Sequence, residues 1–81
     1  MQVTIRLFAS ARDAAGWERQ VLDLPEGATI ASARQKLRGI IPDATPLLDS
    51  AAFALNQRYA RADDRLTDGD ELAILPPVSG G

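Results

Sequence analysis

Eighty-one residues without cysteine or histidine, 46% of them hydrophobic and with a net charge of −2 at pH 7, describe one small domain around one core, with neither disulfides nor a Cys/His metal site. The commonest general base and the thiolate nucleophile are both missing, so the groups left for catalysis are carboxylates, one lysine and a few hydroxyls. Nine basic residues against eleven acidic ones, with the arginines spread from Arg6 to Arg65, exclude a dense nucleic-acid surface, and no stretch approaches the roughly 18 apolar residues of a membrane span.

The chain enters a strand at once, with no leader-like segment before it, which fits a cytoplasmic protein. Val3, Ile5 and Leu7 alternate with Gln2, Thr4 and Arg6, the two-residue period of a strand with one buried face. Phe8 then falls on the polar side, where an aromatic is either covered by a loop or left for a partner. Residues 10–15 are alanine-rich and predict a short helix or turn, capped by Ser10 and closed at Gly16. Residues 18–24 read as a second strand with Leu22 and Leu24 facing in, ended by the turn Pro25-Glu26-Gly27 and joined to the first as an antiparallel hairpin.

Thr29 is placed to cap the main helix. Ile30, Ala33, Leu37 and Ile40 or Ile41 recur at helical spacing, while Arg34, Lys36 and Arg38 fall on the wet side or in the last turns. Gly39 weakens the end, Pro42 stops it, and residues 43–50 read as a loop with at most one helical turn around Leu47 and Leu48. Residues 52–56 predict a third strand with Phe53 and Leu55 inward. Asn56-Gln57 then forms a turn or bulge leading to Tyr59 on a short edge strand. Asp63-Asp64 and Asp68-Gly69-Asp70 lack the ligand spacing of a calcium loop and read as solvated turns; no metal is expected. Residues 71–75 are the last strand, with Leu72 and Ile74 inward and Ala73 and Leu75 on the side of Phe8.

Strand, strand, helix, strand, short strand, strand is an α+β order, and it fits the β-grasp, or ubiquitin-like, arrangement of a mixed sheet with one main helix on one face. If the first and last strands are parallel neighbours at the centre, Phe8 and Leu75 lie side by side on the uncovered face. The expected division is a β-grasp body over residues 1–75 and a flexible tail over residues 76–81. In that tail Pro76 and Pro77 fix φ and stiffen the exit, Val78 and Ser79 follow, and Gly80 and Gly81 offer a tip without side chains, slim enough for a channel that admits no Cβ. A bare Gly-Gly is equally what a loose end looks like. The prolines favour insertion, because a loose end has no need of restraint.

Asn56-Gln57, then Leu66-Thr67-Asp68-Gly69-Asp70-Glu71-Leu72, then Pro76-Pro77-Val78-Ser79-Gly80-Gly81 resemble the small, sulfur-carrier subunits of molybdopterin synthase. Leu7-Phe8-Ala9-Ser10-Ala11-Arg12-Asp13 is similar too, while residues 17–50 agree in pattern only. The resemblance implies that Gly81 is adenylated at the expense of ATP by an activating enzyme and converted to a thiocarboxylate with sulfur from a donor. It implies no permanently bound cofactor and no catalytic residue of the chain's own. It further implies docking onto the large synthase subunit, in a heterotetramer of two small and two large subunits, through an open sheet face holding Phe8, Tyr59 and Leu75, with Arg12 and Arg61 as charged neighbours. Pro76, Pro77, Val78, Ser79 and Gly80 then carry Gly81 into the pocket. A carrier for thiamine or tRNA thiolation and a ubiquitin-like modifier share the body and the Gly-Gly end, and remain alternatives.

Overall fold

The computed structural model describes residues 1–76. Its elements are β1 (Gln2–Leu7), α1 (Ala9–Ala15), β2 (Arg19–Asp23), α2 (Ile30–Ile40), a 3-10 turn (Pro42–Ala44), α3 (Thr45–Ser50), β3 (Ala52–Leu55), β4 (Arg58–Ala60) and β5 (Glu71–Leu75). The strands form one sheet in the order β2-β1-β5-β3-β4, with β1 parallel to β5 and each other neighbouring pair antiparallel. This is the β-grasp arrangement, with the two parallel strands at its centre and α2 on the connection that a parallel pair requires.

Alternation along the strands sends one set of side chains under the helices. Val3, Ile5 and Leu7 of β1, Leu22 of β2, Phe53 of β3 and Leu72 and Ile74 of β5 are buried, and they form one cluster with Ile30, Ala33 and Leu37 of α2. Both ends of α2 are chemically marked. At its start the Thr29 hydroxyl accepts from the Ser32 N–H at 3.3 Å, and the Ser32 hydroxyl accepts from the Thr29 N–H at 3.1 Å, a reciprocal cap that satisfies two otherwise orphaned donors. At its end the Ile41 N–H closes on the Leu37 carbonyl at 2.8 Å, and Pro42 has no N–H with which to continue. Ile41 is buried and Ile40 exposed, which decides between the two.

Four local expectations change. Ser10 is not the cap of α1: the cap is Phe8, in extended backbone with no side-chain cap bond, and Ala9 turns the corner into the helix at φ +50°. Gly16 does close α1, at φ +83°. Residues 43–50 are not a loop but the end of the 3-10 turn and the whole of α3, with Ala44 and Leu48 buried. Pro42 and Pro46 stand in the first turns of these two helices, where the missing N–H costs nothing. Arg34 is half-buried instead of wet, its guanidinium carbon 5.7 Å from the centroid of the Phe53 ring. Finally, β3 ends at Leu55, and Asn56 belongs to the turn that follows.

Candidate functional site

The residues of the middle motif do structural work at the pole where β5 begins. The Asn56 N–H donates to the Glu71 carbonyl at 2.8 Å, the Asn56 side-chain oxygen accepts from the Glu71 N–H at 2.9 Å, and its amide nitrogen donates to Asp70 Oδ1 at 2.9 Å. Asp70 Oδ2 accepts from the Thr67 N–H at 2.7 Å, Asp68 Oδ1 from the Gln2 N–H at 2.6 Å, and the Gly69 N–H reaches the Gln2 carbonyl at 2.8 Å. Gly69 sits at φ +88°, a turn that only glycine makes without cost. Asn56 and Gln57, both at positive φ, form the two-residue loop between β3 and β4, whose right-handed twist matches that of the strands. These bonds tie the starts of β1 and β5 and the β3–β4 turn together. They thereby fix the register on which Leu75 and Pro76 come out at the other pole.

On the face away from α2 the register lays the side chains in rows. Extending Leu7 opposite Ile74 by one residue puts Phe8 beside Leu75, and Leu75 is opposite Ala52, with Arg61 next in line by the Phe53–Ala60 pairing. The neighbouring row runs Arg19, Arg6, Ala73, Ala54, Tyr59. Small alanines thus floor the middle of the face, with Phe8 and Leu75 along one side and Tyr59, 84% exposed, along another. Phe8 and Leu75 are half-buried. The half-buried apolar residues packed against the core include Met1, Trp17 and Leu55 but neither of these two. Arg6 lies over Phe8, its guanidinium carbon 5.0 Å from the ring centroid, and its Nη1 meets Glu71 Oε1 at 3.2 Å, so the ring has a cation partner from within the same face.

The charged candidates divide. Arg61 continues the line of Leu75 and Ala52, its N–H donating to Asp64 Oδ2 at 2.8 Å, and its side chain is exposed. Arg12 is on α1, a helix that packs against the 3-10 turn and α3 through buried Ala11, and its guanidinium faces Asp13 at 3.8 Å and Glu18 at 4.0 Å. It stands beside the sheet face and not on it. Pro76 is half-buried directly after β5, whereas Pro77, Val78, Ser79, Gly80 and Gly81 lie outside the described residues. Among the described residues there is no pocket, no His/Cys/Asp/Glu group able to hold a metal ion, and no helix long and apolar enough to cross a membrane.

The model of the ThiS family matches residues 5–81. The chain belongs to the ThiS family. Among relatives in it, the molybdopterin synthase sulfur carrier subunit of Chlamydomonas reinhardtii is 39% identical over 83 residues, an alignment covering 100% of both chains. Of solved structures, small archaeal modifier protein 1 from Haloferax volcanii superposes with a TM-score of 0.89 at 29% identity, again over 100% of both chains. Subunit 1 or 2 of the molybdopterin-converting factor of Helicobacter pylori, solved as a complex of the two, matches with a TM-score of 0.73 at 27% identity over 100% of both chains. The ubiquitin-like β-grasp body seen here is therefore the body of this ThiS-family group. What sequence reasoning missed on that body is the second half of its open face, where Arg6, already placed on the polar side of β1, meets Glu71, Arg19 and the 53% exposed Val21. The available signal was strand alternation, which puts all four on the same side as Phe8.

Proposed function

We propose that this chain is the sulfur-carrier subunit of a molybdopterin synthase, working in the cytoplasm, and that the face floored by Ala52, Ala54 and Ala73 docks on the large subunit while Gly81 carries the sulfur. The observation that carries the reading is the coincidence of exit and face. β5 delivers the chain through Pro76 beside Phe8 and Leu75, so the surface offered to a partner and the segment to be inserted start from the same end of the central strands. The Chlamydomonas relative's name and the two-subunit Helicobacter complex support it.

In this reading the Gly81 carboxylate attacks the α-phosphorus of ATP in the activating enzyme, and pyrophosphate leaves. A sulfur donor at the oxidation level of hydrosulfide then attacks the acyl carbon, AMP departs, and the thiocarboxylate remains. Activation is needed because oxide is a poor leaving group and AMP a good one. The thiocarboxylate's charge rests largely on a polarisable sulfur, a nucleophile towards a pterin precursor in the large subunit's pocket, and hydrolysis of the resulting acyl linkage returns the carboxylate. Each dithiolene takes two sulfurs, so two carriers act in pairs or in succession, in keeping with a heterotetramer of two small and two large subunits. The carrier supplies position and an activated end, and the large subunit supplies the acid–base groups.

One further reading has a specific observation behind it. The likeness to the archaeal modifier fits an alternative fate of the same activated Gly81, transfer to a lysine of another protein, which covalent conjugates in the native cell would reveal. A carrier for thiamine or tRNA thiolation would share the tail chemistry and differ in the partner. The test is reconstitution with the activating enzyme, ATP, a sulfur donor and the large subunit. Adding one residue after Gly81 displaces the carboxylate by about 3.5 Å, well beyond the roughly 1 Å that near-attack geometry tolerates, so dithiolene formation should cease. Synthesis at the normal rate from the extended or C-terminally amidated chain would refute the mechanism.

A further inference from the structure

The open face has a second half that the apolar docking patch does not use. Arg6 and Arg19 are direct cross-strand partners on β1 and β2. Met1 and Leu24 exchange both backbone hydrogen bonds, and the Leu7 N–H donates to the Glu18 carbonyl, so the odd-numbered positions of β1 are the hydrogen-bonded ones. Arg6 and Arg19 therefore occupy a non-hydrogen-bonded pair, the position where opposed side chains come closest, with Cα atoms about 4.5 Å apart. Like charges placed there are unfavourable. Glu71 answers Arg6 alone, at 3.2 Å, and Arg19 is exposed with no ion pair among the described residues. On a chain whose net charge is −2, this corner holds two guanidinium groups against one carboxylate. The next pair along, Thr4 and Val21, leaves Val21 53% exposed beside it.

We infer that Arg6 and Arg19 form a receptor for one acidic side chain of the large subunit, so that the docking surface extends from Phe8 across β1 to the β2 edge, with Val21 as the apolar neighbour of the carboxylate. The inference rests on the docking reading above and names what that partner must present. Arg6 is already fixed, stacked on Phe8 and tethered to Glu71, so little side-chain freedom is lost when it binds. Arg19 supplies the uncompensated charge. A carboxylate between them accepts from two planar donor forks, a geometry that a lysine cannot offer. Because Arg6 is continuous with the Phe8 patch, the acid on the partner also sets the register of docking.

The test is binding of the isolated large subunit to the full chain at low and at physiological salt, with association and dissociation followed separately. Arg19→Glu should weaken binding at least about tenfold, chiefly through a slower association, and should flatten the salt dependence. Arg19→Gln should fall between it and wild type, and Arg19→Lys should keep the salt dependence while dissociating faster. Arg19 is exposed at the sheet edge, so no variant should melt below wild type, and Arg19→Glu should melt slightly higher because it relieves the repulsion with Arg6. Phe8→Asp serves as the control for docking itself. If it abolishes binding while Arg19→Glu binds as wild type with an unchanged salt slope, the acid receptor is wrong and the docking face stands. If both variants bind as wild type, the docking reading and the receptor fall together.

Discussion

The two faces of the sheet are made by the same strands and solve opposite problems. Towards α2, the inward positions of β1, β3 and β5 carry branched or aromatic side chains, and Val3, Ile5, Leu72 and Ile74 are wholly removed from water. Away from it, the same strands carry Thr4, Arg6, Ala54 and Ala73, with Phe8, Leu75 and Tyr59 around an alanine floor. The first face is complete, since its large groups interlock with a capped helix. The second is unfinished in a particular way: its centre is too shallow to make a core, and its rim holds Leu75 among aromatic and guanidinium groups, the last two being side chains that anchor interfaces. In the proposed reading stability is placed on one side and recognition on the other, and substitutions should separate the two.

The largest effect is expected from the closed face. Leu37→Ala deletes a fully buried side chain at the centre of the core and should cost about 2–5 kcal/mol, read as a shift of the urea midpoint without a change of slope. Phe8→Asp tests the other side. It should cost several kcal/mol of large-subunit binding by leaving a charge in a desolvated interface, yet only about 1 kcal/mol of stability through loss of the contact with Arg6. A destabilisation as large as that of Leu37→Ala would assign Phe8 to the core and erase the contrast.

Smaller changes sharpen the comparison. Gln57 holds φ +71° in the two-residue β3–β4 loop, where glycine pays no steric cost, so Gln57→Gly should stabilise the body by about 1 kcal/mol and leave binding unchanged. Equilibrium unfolding beside a binding titration checks both halves of that statement. Tyr59→Ser removes an 84% exposed ring and should move stability by no more than about 0.5 kcal/mol while measurably weakening the complex. A change in stability beyond that bound would mean that Tyr59 supports the fold.

How much of this was legible follows from which signals are local. The two-residue period of β1 and β5 is a property of each strand alone, so both faces could be drawn from the sequence. The Thr29 cap and the Gly16 stop were readable for the same reason, since each satisfies orphaned groups within a few residues. Ser10 misled because its usual capping role was overruled by the chain path: β1 runs through an extended Phe8 directly into the corner at Ala9. Pro42 was read as a stop, which it is for α2, but proline equally suits a helix start, and that second meaning produced the 3-10 turn. Leu48 gave no periodic signal in so short a helix, and its burial depends on packing from elsewhere in the chain.

The motif residues teach the converse. The stretch from Leu66 to Leu72 entered as a family signature, and its geometry gives a physical reason for the pattern. Asp68 and Asp70 accept backbone N–H groups from Gln2 and Thr67, and Asn56 bridges to Glu71. Arg6 and Glu71 were placed on their strands but not joined to each other or to Arg19, because a charge on an exposed strand face is ordinary until register shows which charges stand opposite one another.

If the body presents a face while Gly81 bears the sulfur, the intact mass of the chain must change on incubation with ATP, the activating enzyme and a sulfur donor. The expected result is an increase equal to one oxygen-to-sulfur exchange, located by fragmentation to Gly81 and reversed by hydrolysis. An unchanged mass despite an activating enzyme shown to form acyl adenylate on a known carrier, or sulfur located at any other residue, would contradict it.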